Sequence, residues 1–209
     1  PLFLSFAGEV APGEAFAHMV PNTALAAALL KALEGQVDLL ASVEVMAFTA
    51  DATRGRLALR DGRTVVSPLV VAADGAMSAL RTMAGIDTIL HDYRQSGIVT
   101  TITHELPHEG TAYEHFRPAG PFASLPLDAA AALIEEVMGA SLGKVTLDEK
   151  LQVFPLSLRL ARSFVAPRLA LIGDAAHVVH PIAGQGLNLG LKDVAALTET
   201  LIDALRLGL

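Results

Sequence analysis

The stretch RLALIGDAAHVVHPIAGQGLNLGLKD, residues 168–193, decides the fold of this chain. It opens with an apolar run, continues through Gly173 and Asp174 into a loop with two histidines and a proline, and ends in a glycine-spaced amphipathic segment. A buried strand that delivers a carboxylate at its carboxyl end, followed by a helix amino terminus of small residues, is how α/β proteins build a floor for a large polar cofactor. We therefore predict a strand, a loop and a helix start that form the floor of an active site.

A second stretch repeats this layout upstream. Its run LVVAA, residues 69–73, is continuously apolar, which is typical of a strand covered on both faces. Asp74 and Gly75 follow, and then a predicted helix at residues 77–84 that Gly85 ends. Residues 93–127, between the two copies, are more polar and alternate, which predicts two or three antiparallel strands. The pattern indicates two α/β segments with a polar sheet inserted between them.

Capping, periodicity and turn signals predict the other elements. Asn22 or Thr23 can cap a helix that Gly35 ends. Asp61-Gly62 between two short strand-like runs is a strong hairpin signal, because glycine tolerates the positive φ of a tight turn. The further predicted elements are strands at residues 37–41, 43–50, 56–60 and 64–66 and helices at residues 129–138 and 187–205.

Composition narrows the class of protein. The net charge of -7 and the absence of a basic patch argue against a nucleic-acid partner. Without cysteine the chain can form no disulfide, thiolate nucleophile or cysteine-based metal site. The mean hydropathy of +0.48 is high, yet charges, glycines and prolines interrupt every apolar run before the roughly 18 residues of a membrane span. The opening PLFLSFAGEV has no initiator methionine or signal-like segment, so we expect an interior piece of a longer protein.

Two features of residues 168–193 allow alternative interpretations. Asp174 can accept hydrogen bonds from a ligand hydroxyl, or it can cap a helix, which is the commoner role of such an aspartate. Gly184, Gly186 and Gly190 do not have the spacing of a dinucleotide-binding fingerprint. Residues without Cβ nevertheless let backbone N–H groups approach a planar or anionic ligand. Close packing of a helix through small residues is the alternative, above all for Gly190.

Other kinds of site find little support in the sequence. His177 and His180 near Asp174 suggest a metal, but they lie in a loop without a supporting carboxylate, and we favour a positioning or structural role and predict no metal. The chain also lacks a nucleophile elbow, a phosphate-binding loop and a pair of carboxylates arranged as a general acid and base. We predict no catalytic side chain, because a cofactor that performs its own chemistry needs residues that position it.

The motifs together resemble a known family. One set of residues resembles the distal flavin motif of the aromatic-ring flavoprotein monooxygenases, which have the para-hydroxybenzoate hydroxylase fold. It consists of Gly173-Asp174-Ala175-Ala176-His177, Pro181, Gly184-Gln185-Gly186-Leu187-Asn188 and Lys192-Asp193. Residues 71–75, VAADG, with Ser78 and Arg81, resemble the middle motif of that family. Within the family, the chain is most similar to the ubiquinone-biosynthesis hydroxylases.

This resemblance implies a reaction and a cofactor site. NAD(P)H would reduce FAD, O2 would form a C4a-hydroperoxide, and that species would hydroxylate a prenylated phenol or quinol. Asp174 would bind the ribityl or pyrophosphate region, residues 184–188 with Pro181 would line the isoalloxazine, and Asp74 with Gly75 would help to hold the cofactor and guide the nicotinamide. The implied cofactor-binding residues are Asp74, Gly75, Gly173, Asp174, Pro181, Gly184, Gln185, Gly186, Leu187 and Asn188.

The resemblance also implies a fold class and a domain division. We expect an α/β, three-layer FAD/NAD(P)-binding domain at residues 21–90 and 151–209, without its N-terminal βαβ unit. Residues 1–20 and 91–150 would form an inserted antiparallel-sheet domain that binds substrate. The family's first motif, for the ADP half of FAD, is missing, so a non-catalytic fragment is one alternative, and a hydroxylase of a soluble aromatic is another. The implied location is cytoplasmic. A prenylated substrate also suggests that the protein associates peripherally with the inner membrane or with a biosynthetic complex.

Overall fold

The computed structural model describes residues 9–12, 14–15, 17–118, 120–125, 145–147, 150–181 and 184–208. The chain separates into two compact units, Pro1–Leu39 with Ile98–Val153 and Leu40–Gly97 with Phe154–Leu209. Both units are discontinuous, and residues 21–39, 91–97 and 151–153 group differently from the domains predicted from the sequence. The assignment of FAD and substrate to separate domains stays a prediction.

Three helices and a series of short strands make up the described chain. The helices are α1 (Asn22–Leu33), α2 (Ala79–Met83) and α3 (Gln185–Arg206), and Gly173–Ala175 forms a 3-10 turn. The strands are β1 (Glu9–Ala11), β2 (Glu14–Ala15), β3 (Val45–Ala50), β4 (Gly55–Leu59), β5 (Thr64–Ser67), β6 (Val70–Ala72), β7 (Thr88–Val99), β8 (Ile102–His104), β9 (Tyr113–Arg117), β10 (Gly120–Ser124), β11 (Val145–Leu147), β12 (Gln152–Ala161), β13 (Val165–Ala166), β14 (Leu169–Leu171) and β15 (His177–Val178). The mixed α/β class predicted from the sequence is confirmed.

The two strands predicted from the repeated layout are neighbours in one sheet of the second unit. β14 pairs with β6 in parallel, with Leu169 opposite Val70 and Leu171 opposite Ala72, and β13 pairs with β14 on its other side. These four residues are buried in the main hydrophobic cluster. Val71, which points to the opposite face, is 40% exposed. The expectation that β6 is covered on both faces is therefore wrong for the described chain, because only one face packs against the core.

The helix predicted after Asp74-Gly75 is confirmed as α2. Ser78 caps it by accepting a hydrogen bond from the Arg81 N–H, and Gly85 has a left-handed φ of 69° just after it. Leu80 packs into the hydrophobic cluster next to Ala72 of β6. α2 is thus a short helix held at the carboxyl end of the parallel sheet, where cofactor sites form in α/β proteins.

An antiparallel meander, β3–β4–β5, precedes the parallel sheet. The hairpin predicted at Asp61-Gly62 is confirmed as the β4–β5 turn, in which Gly62 has a φ of 87°. The strand predicted at residues 37–41 is wrong, since that segment has no regular structure. Its apolar side chains are about half exposed, and its backbone pairs with no strand of the described chain. Strand propensity alone does not form a strand without a pairing partner.

A third sheet of this unit has the order β15–β12–β7. The sequence did not predict β12, a ten-residue strand, because Pro155 within it argues against a central strand. Pro155 is exposed, and β15 pairs with β12 only at Arg159 and Leu160. The proline therefore lies outside the part of β12 that β15 pairs with.

The first unit contains α1 and three two-stranded antiparallel sheets, β1–β2, β8–β11 and β9–β10. α1 confirms the helix predicted from Asn22. β9 is exposed along its whole length, as expected of polar antiparallel strands between residues 93 and 127. The predicted helix at residues 129–138 lies outside the described residues. Among the described helices, none has the length and apolar character needed to cross a bilayer.

Candidate cofactor site

A depression of about 380 Å³ lies at the carboxyl ends of β6 and β14, beside the amino-terminal half of α3. Because β6 and β14 are parallel, the segments that follow them leave the sheet at the same edge. The volume is within the usual range of ligand pockets, about 300–1,000 Å³. The residues that line it are Ala73, Gly75, Ile172, Gly173, Asp174, Gly186, Leu187, Gly190, Leu191 and Val194.

Glycines allow the walls of the depression to form and to come close together. Gly173 has a left-handed φ of 58°, which suits the abrupt turn from β14 into the 3-10 turn. A Cβ on Gly190 would lie 3.4 Å from the Gly173 Cα atom. A Cβ on Gly186 would meet nothing within 4 Å. Gly190 thus serves close packing of α3, as the alternative interpretation held, whereas Gly186 faces open space.

The amino terminus of α3 lies at this depression. Gly184 precedes the helix with φ 61° and ψ 28° and, as a glycine, has no side chain to cap the helix end. N–H groups of a first helical turn have no partner within their own helix and carry partial positive charge. Gly186 and Leu187 of this turn line the depression. The site can therefore take a polar or anionic group against backbone N–H groups.

The two aspartates of the repeated layout differ in their contacts. Asp74 accepts hydrogen bonds from the Ser78 hydroxyl at 2.6 Å and from the Leu80 N–H at 3.1 Å, so both of its oxygens serve the start of α2. Asp174 is exposed, lines the depression and makes no hydrogen bond with the described residues. Asp174 therefore has both oxygens without a partner among the described residues, whereas each oxygen of Asp74 already accepts one bond.

Arg81 joins the two segments that carry these aspartates. Its side chain is 4% exposed, and its guanidinium donates to the Ala175 carbonyl at 2.8 Å and to the Ala76 carbonyl at 2.9 Å. Burial lowers the pKa of Arg81, the nearby charge of Arg159 lowers this pKa further, and Asp74 opposes both. The guanidinium remains charged because an arginine pKa begins far above neutral pH. A buried cation thus ties α2 to the 3-10 turn.

Asp193 joins α3 to the same turn. Its Oδ2 atom accepts a hydrogen bond from the Gly173 N–H at 2.7 Å and lies 2.7 Å from Nε2 of His177. Asp193 belongs to the stretch that resembles the distal flavin motif, but it is not one of the predicted site residues. Its spacing of three from Gly190, which places both on one face of the helix, is the signal that could have found it.

The two histidines have different surroundings. His177 is buried beside Asp193 and packs against the Phe164 ring, while the ring of His180 meets Tyr93 edge to face at 5.0 Å. Nδ1 of each histidine is buried and has no hydrogen-bond partner among the described residues. The described residues contain no cluster of three or more side chains that could hold a metal ion. His177 therefore has the structural contact expected of it.

The structure brings half of the predicted cofactor residues to the depression. Gly75, Gly173, Asp174, Gly186 and Leu187 line it. Asp74 is next to it but is engaged with α2. The other four are exposed at or near the start of α3 and are not among the lining residues, namely Pro181, Gly184, Gln185 and Asn188.

Comparison with known proteins identifies the type of domain. A family model described as an FAD binding domain matches residues 124–207, a range that includes the α3 side of the depression but not Asp74. The whole chain is similar, at 41% identity over 236 aligned residues, to ubiquinone hydroxylase UbiL of Rhodospirillum rubrum, and covers 54% of that protein. It is 36% identical to 3-demethoxyubiquinol 3-hydroxylase of Escherichia coli K12, with 90% of the chain and 54% of that enzyme aligned.

A solved structure agrees with these relatives. OxyS anhydrotetracycline hydroxylase from Streptomyces rimosus aligns with a TM-score of 0.57 and 26% identity over 83% of the chain and 41% of its own. The resemblance found in the two motifs and the predicted partial FAD-binding fold are confirmed. The chain spans about half the length of the curated relatives it matches.

Proposed function

We propose that the chain belongs to the FAD-dependent hydroxylases that include the ubiquinone-biosynthesis enzymes, and that it is part of a monooxygenase. The proposed reaction inserts one oxygen atom of O2 into an aromatic C–H bond of a prenylated phenol or quinol. The other oxygen atom leaves as water, and NAD(P)H supplies two electrons. Identity of 36–41% to ubiquinone hydroxylases, over most or all of the chain, favours this substrate class.

The observation that carries the proposal is the glycine-lined depression at the amino terminus of α3. FAD, when bound there, would supply the activation of O2. The depression fits a flavin because Gly186 leaves open space where a Cβ would stand, and because N–H groups of the first helical turn favour the negative charge of a reduced ring. Pro181 and residues 184–188 would bound the ring in this proposal.

The two aspartates would have unequal roles toward the cofactor. Asp174 is exposed on the depression with free acceptor oxygens, and it would accept hydrogen bonds from the ribityl or phosphate-linked hydroxyls. Asp74 would act through the start of α2, because its oxygens already hold Ser78 and Leu80. Gly75, which lines the depression, would give the cofactor and the nicotinamide room to approach.

Flavin content and oxygen transfer test the proposal. The natural protein that carries these residues should purify yellow, with stoichiometric FAD. In the presence of a demethoxyubiquinol analogue and NADH or NADPH, ¹⁸O2 should place one labelled oxygen atom on the ring. A protein that is colourless and cannot be reconstituted with FAD would contradict the proposal and favour a non-catalytic fragment.

A soluble aromatic substrate is the second candidate, and the similarity to anhydrotetracycline hydroxylase favours it. We rank it lower because the identity to that enzyme, 26%, is well below the identity to the ubiquinone hydroxylases. Parallel assays with a prenylated and an unprenylated phenol separate the two. Faster labelling of the unprenylated phenol at equal concentration would select the second candidate.

A prenylated substrate would reside in a lipid bilayer, so we also propose that the natural protein meets its substrate at the membrane surface. Burial of a prenyl chain in lipid is favourable by about 0.8 kcal/mol for each CH2 group, which leaves little substrate in water. Co-sedimentation with vesicles that contain the quinol analogue tests this point. Protein that stays in the supernatant with and without the analogue would argue for delivery by another protein.

A further inference from the structure

One carboxylate oxygen of α3 holds two different segments of the candidate site. Oδ2 of Asp193 accepts from the Gly173 N–H and from the His177 ring, both at 2.7 Å. Gly173 begins the 3-10 turn after β14 and directly precedes Asp174, and His177 begins β15 on the far side of the turn. The bonds therefore hold both ends of the segment that carries Asp174.

The surroundings make this contact strong. The His177 and Asp193 side chains are only 9% and 21% exposed, and partial burial strengthens hydrogen bonds to a charged acceptor. A carboxylate only accepts, so the ring hydrogen of His177 that faces Asp193 is on Nε2. Gly190, one helical turn before Asp193, lets α3 approach Gly173 closely.

We propose that Asp193 is a positioning residue for the cofactor site. It fixes the turn that carries Asp174 against the amino-terminal half of α3, so both walls of the depression have their binding geometry before FAD arrives. Such preorganisation lowers the cost of binding because the turn is not ordered by the ligand. This inference rests on the proposed function, and it assigns Asp193 no contact with FAD.

The first measurement is FAD affinity, by titration with flavin fluorescence, in the natural protein after removal of the cofactor. Asp193→Asn keeps an oxygen that can accept both bonds and should weaken FAD binding less than about threefold. Asp193→Ala removes both bonds and should weaken FAD binding about tenfold or more, since a bond to a charged group is worth roughly that factor. Asp203→Ala removes an exposed carboxylate of the same helix and should change nothing.

A second control separates positioning from general destabilisation. Leu197→Ala truncates a half-buried side chain of α3 away from the depression. It should lower Tm while FAD affinity, measured well below Tm, stays within about twofold of the wild type. If Leu197→Ala and Asp193→Ala weaken FAD binding equally at matched Tm, Asp193 has only a structural role and the inference is overturned.

A third measurement needs no cofactor. ¹⁵N NMR of the imidazole rings should show His177 with a slowly exchanging hydrogen on Nε2 in the apoprotein, kept in Asp193→Asn and lost in Asp193→Ala. Wild-type protein that binds FAD together with an Asp193→Ala variant of unchanged affinity would overturn this inference alone. Wild-type protein that binds no FAD would overturn the proposed function, and the inference with it.

Discussion

Asp74 and Asp174 follow neighbouring parallel strands, yet the structure uses them differently. Asp74 precedes its glycine and is bonded to Ser78 and Leu80 of α2. Asp174 follows its glycine, enters a 3-10 turn and leaves its oxygens exposed on the depression. The difference teaches that an aspartate at the end of a strand keeps its oxygens without a partner only where no helix start engages them. Two other side chains, Arg81 and Asp193, hold the segments that carry the two aspartates.

The largest effect on stability is expected when Arg81, which links the segments that carry Asp74 and Asp174, is removed. Arg81→Ala leaves the carbonyls of Ala76 and Ala175 without their charged donor, and should reduce the free energy of unfolding by about 3 kcal/mol. Urea unfolding measures this change. Arg206→Ala, which removes an exposed arginine, is the control and should have almost no effect. A loss as small as that of the control would show that the link contributes little.

A smaller effect, confined to the cofactor, is expected at the free aspartate. Asp174→Ala should weaken FAD binding by about 1.5–3 kcal/mol, the usual value of hydrogen bonds to a charged acceptor. The Tm of the apoprotein should hardly change, because Asp174 bonds to none of the described residues. Flavin titration and thermal unfolding of the same sample check both statements. Unchanged FAD affinity would remove Asp174 from the site.

The engaged aspartate should show the opposite pattern. Asp74→Ala should reduce the free energy of unfolding by about 1 kcal/mol, as expected for the loss of bonds at a helix start. FAD binding should weaken less than in Asp174→Ala, because the oxygens of Asp74 are already occupied. The same two measurements apply. If Asp74→Ala weakens FAD binding more than Asp174→Ala does, the contrast between the two aspartates is wrong.

A small gain in stability is expected at the α3 wall of the depression. Gly186→Ala adds a methyl group that meets no protein atom and should stabilise the apoprotein by about 0.5–1 kcal/mol, since alanine favours helix over glycine. The same methyl group would occupy cofactor space and should weaken FAD binding. Gly208→Ala, beyond the helix, is a control for flavin titration and should leave affinity unchanged. A more stable Gly186→Ala protein with full affinity would place the flavin elsewhere.

Local signals predicted the parts of the fold with strong patterns. The helices α1 and α3, the Asp61-Gly62 hairpin and the two parallel strands follow from periodicity, glycine placement and apolar runs. Sequence patterns gave wrong or missing strands where the pairing of distant strands decides whether a segment forms a strand. Residues 37–41 look like a strand but pair with no described strand, and β12 contains a proline but is a strand. Strand formation depends on partners that are distant in sequence.

The sequence by itself determined the resemblance to the FAD-dependent hydroxylases, the α/β class and the stretch at residues 168–193 that contributes to the candidate site, because each depends on motifs of neighbouring residues. Only the tertiary structure decided which predicted residue does what. Asp74 bonds to Ser78 and Leu80 at the start of α2, Asp174 has no hydrogen bond to the described residues, and Asp193 bonds to Gly173 and His177 across the turn. These roles depend on which groups meet after the strands and helices pack, and hydrogen bonds act only at distances set by that packing.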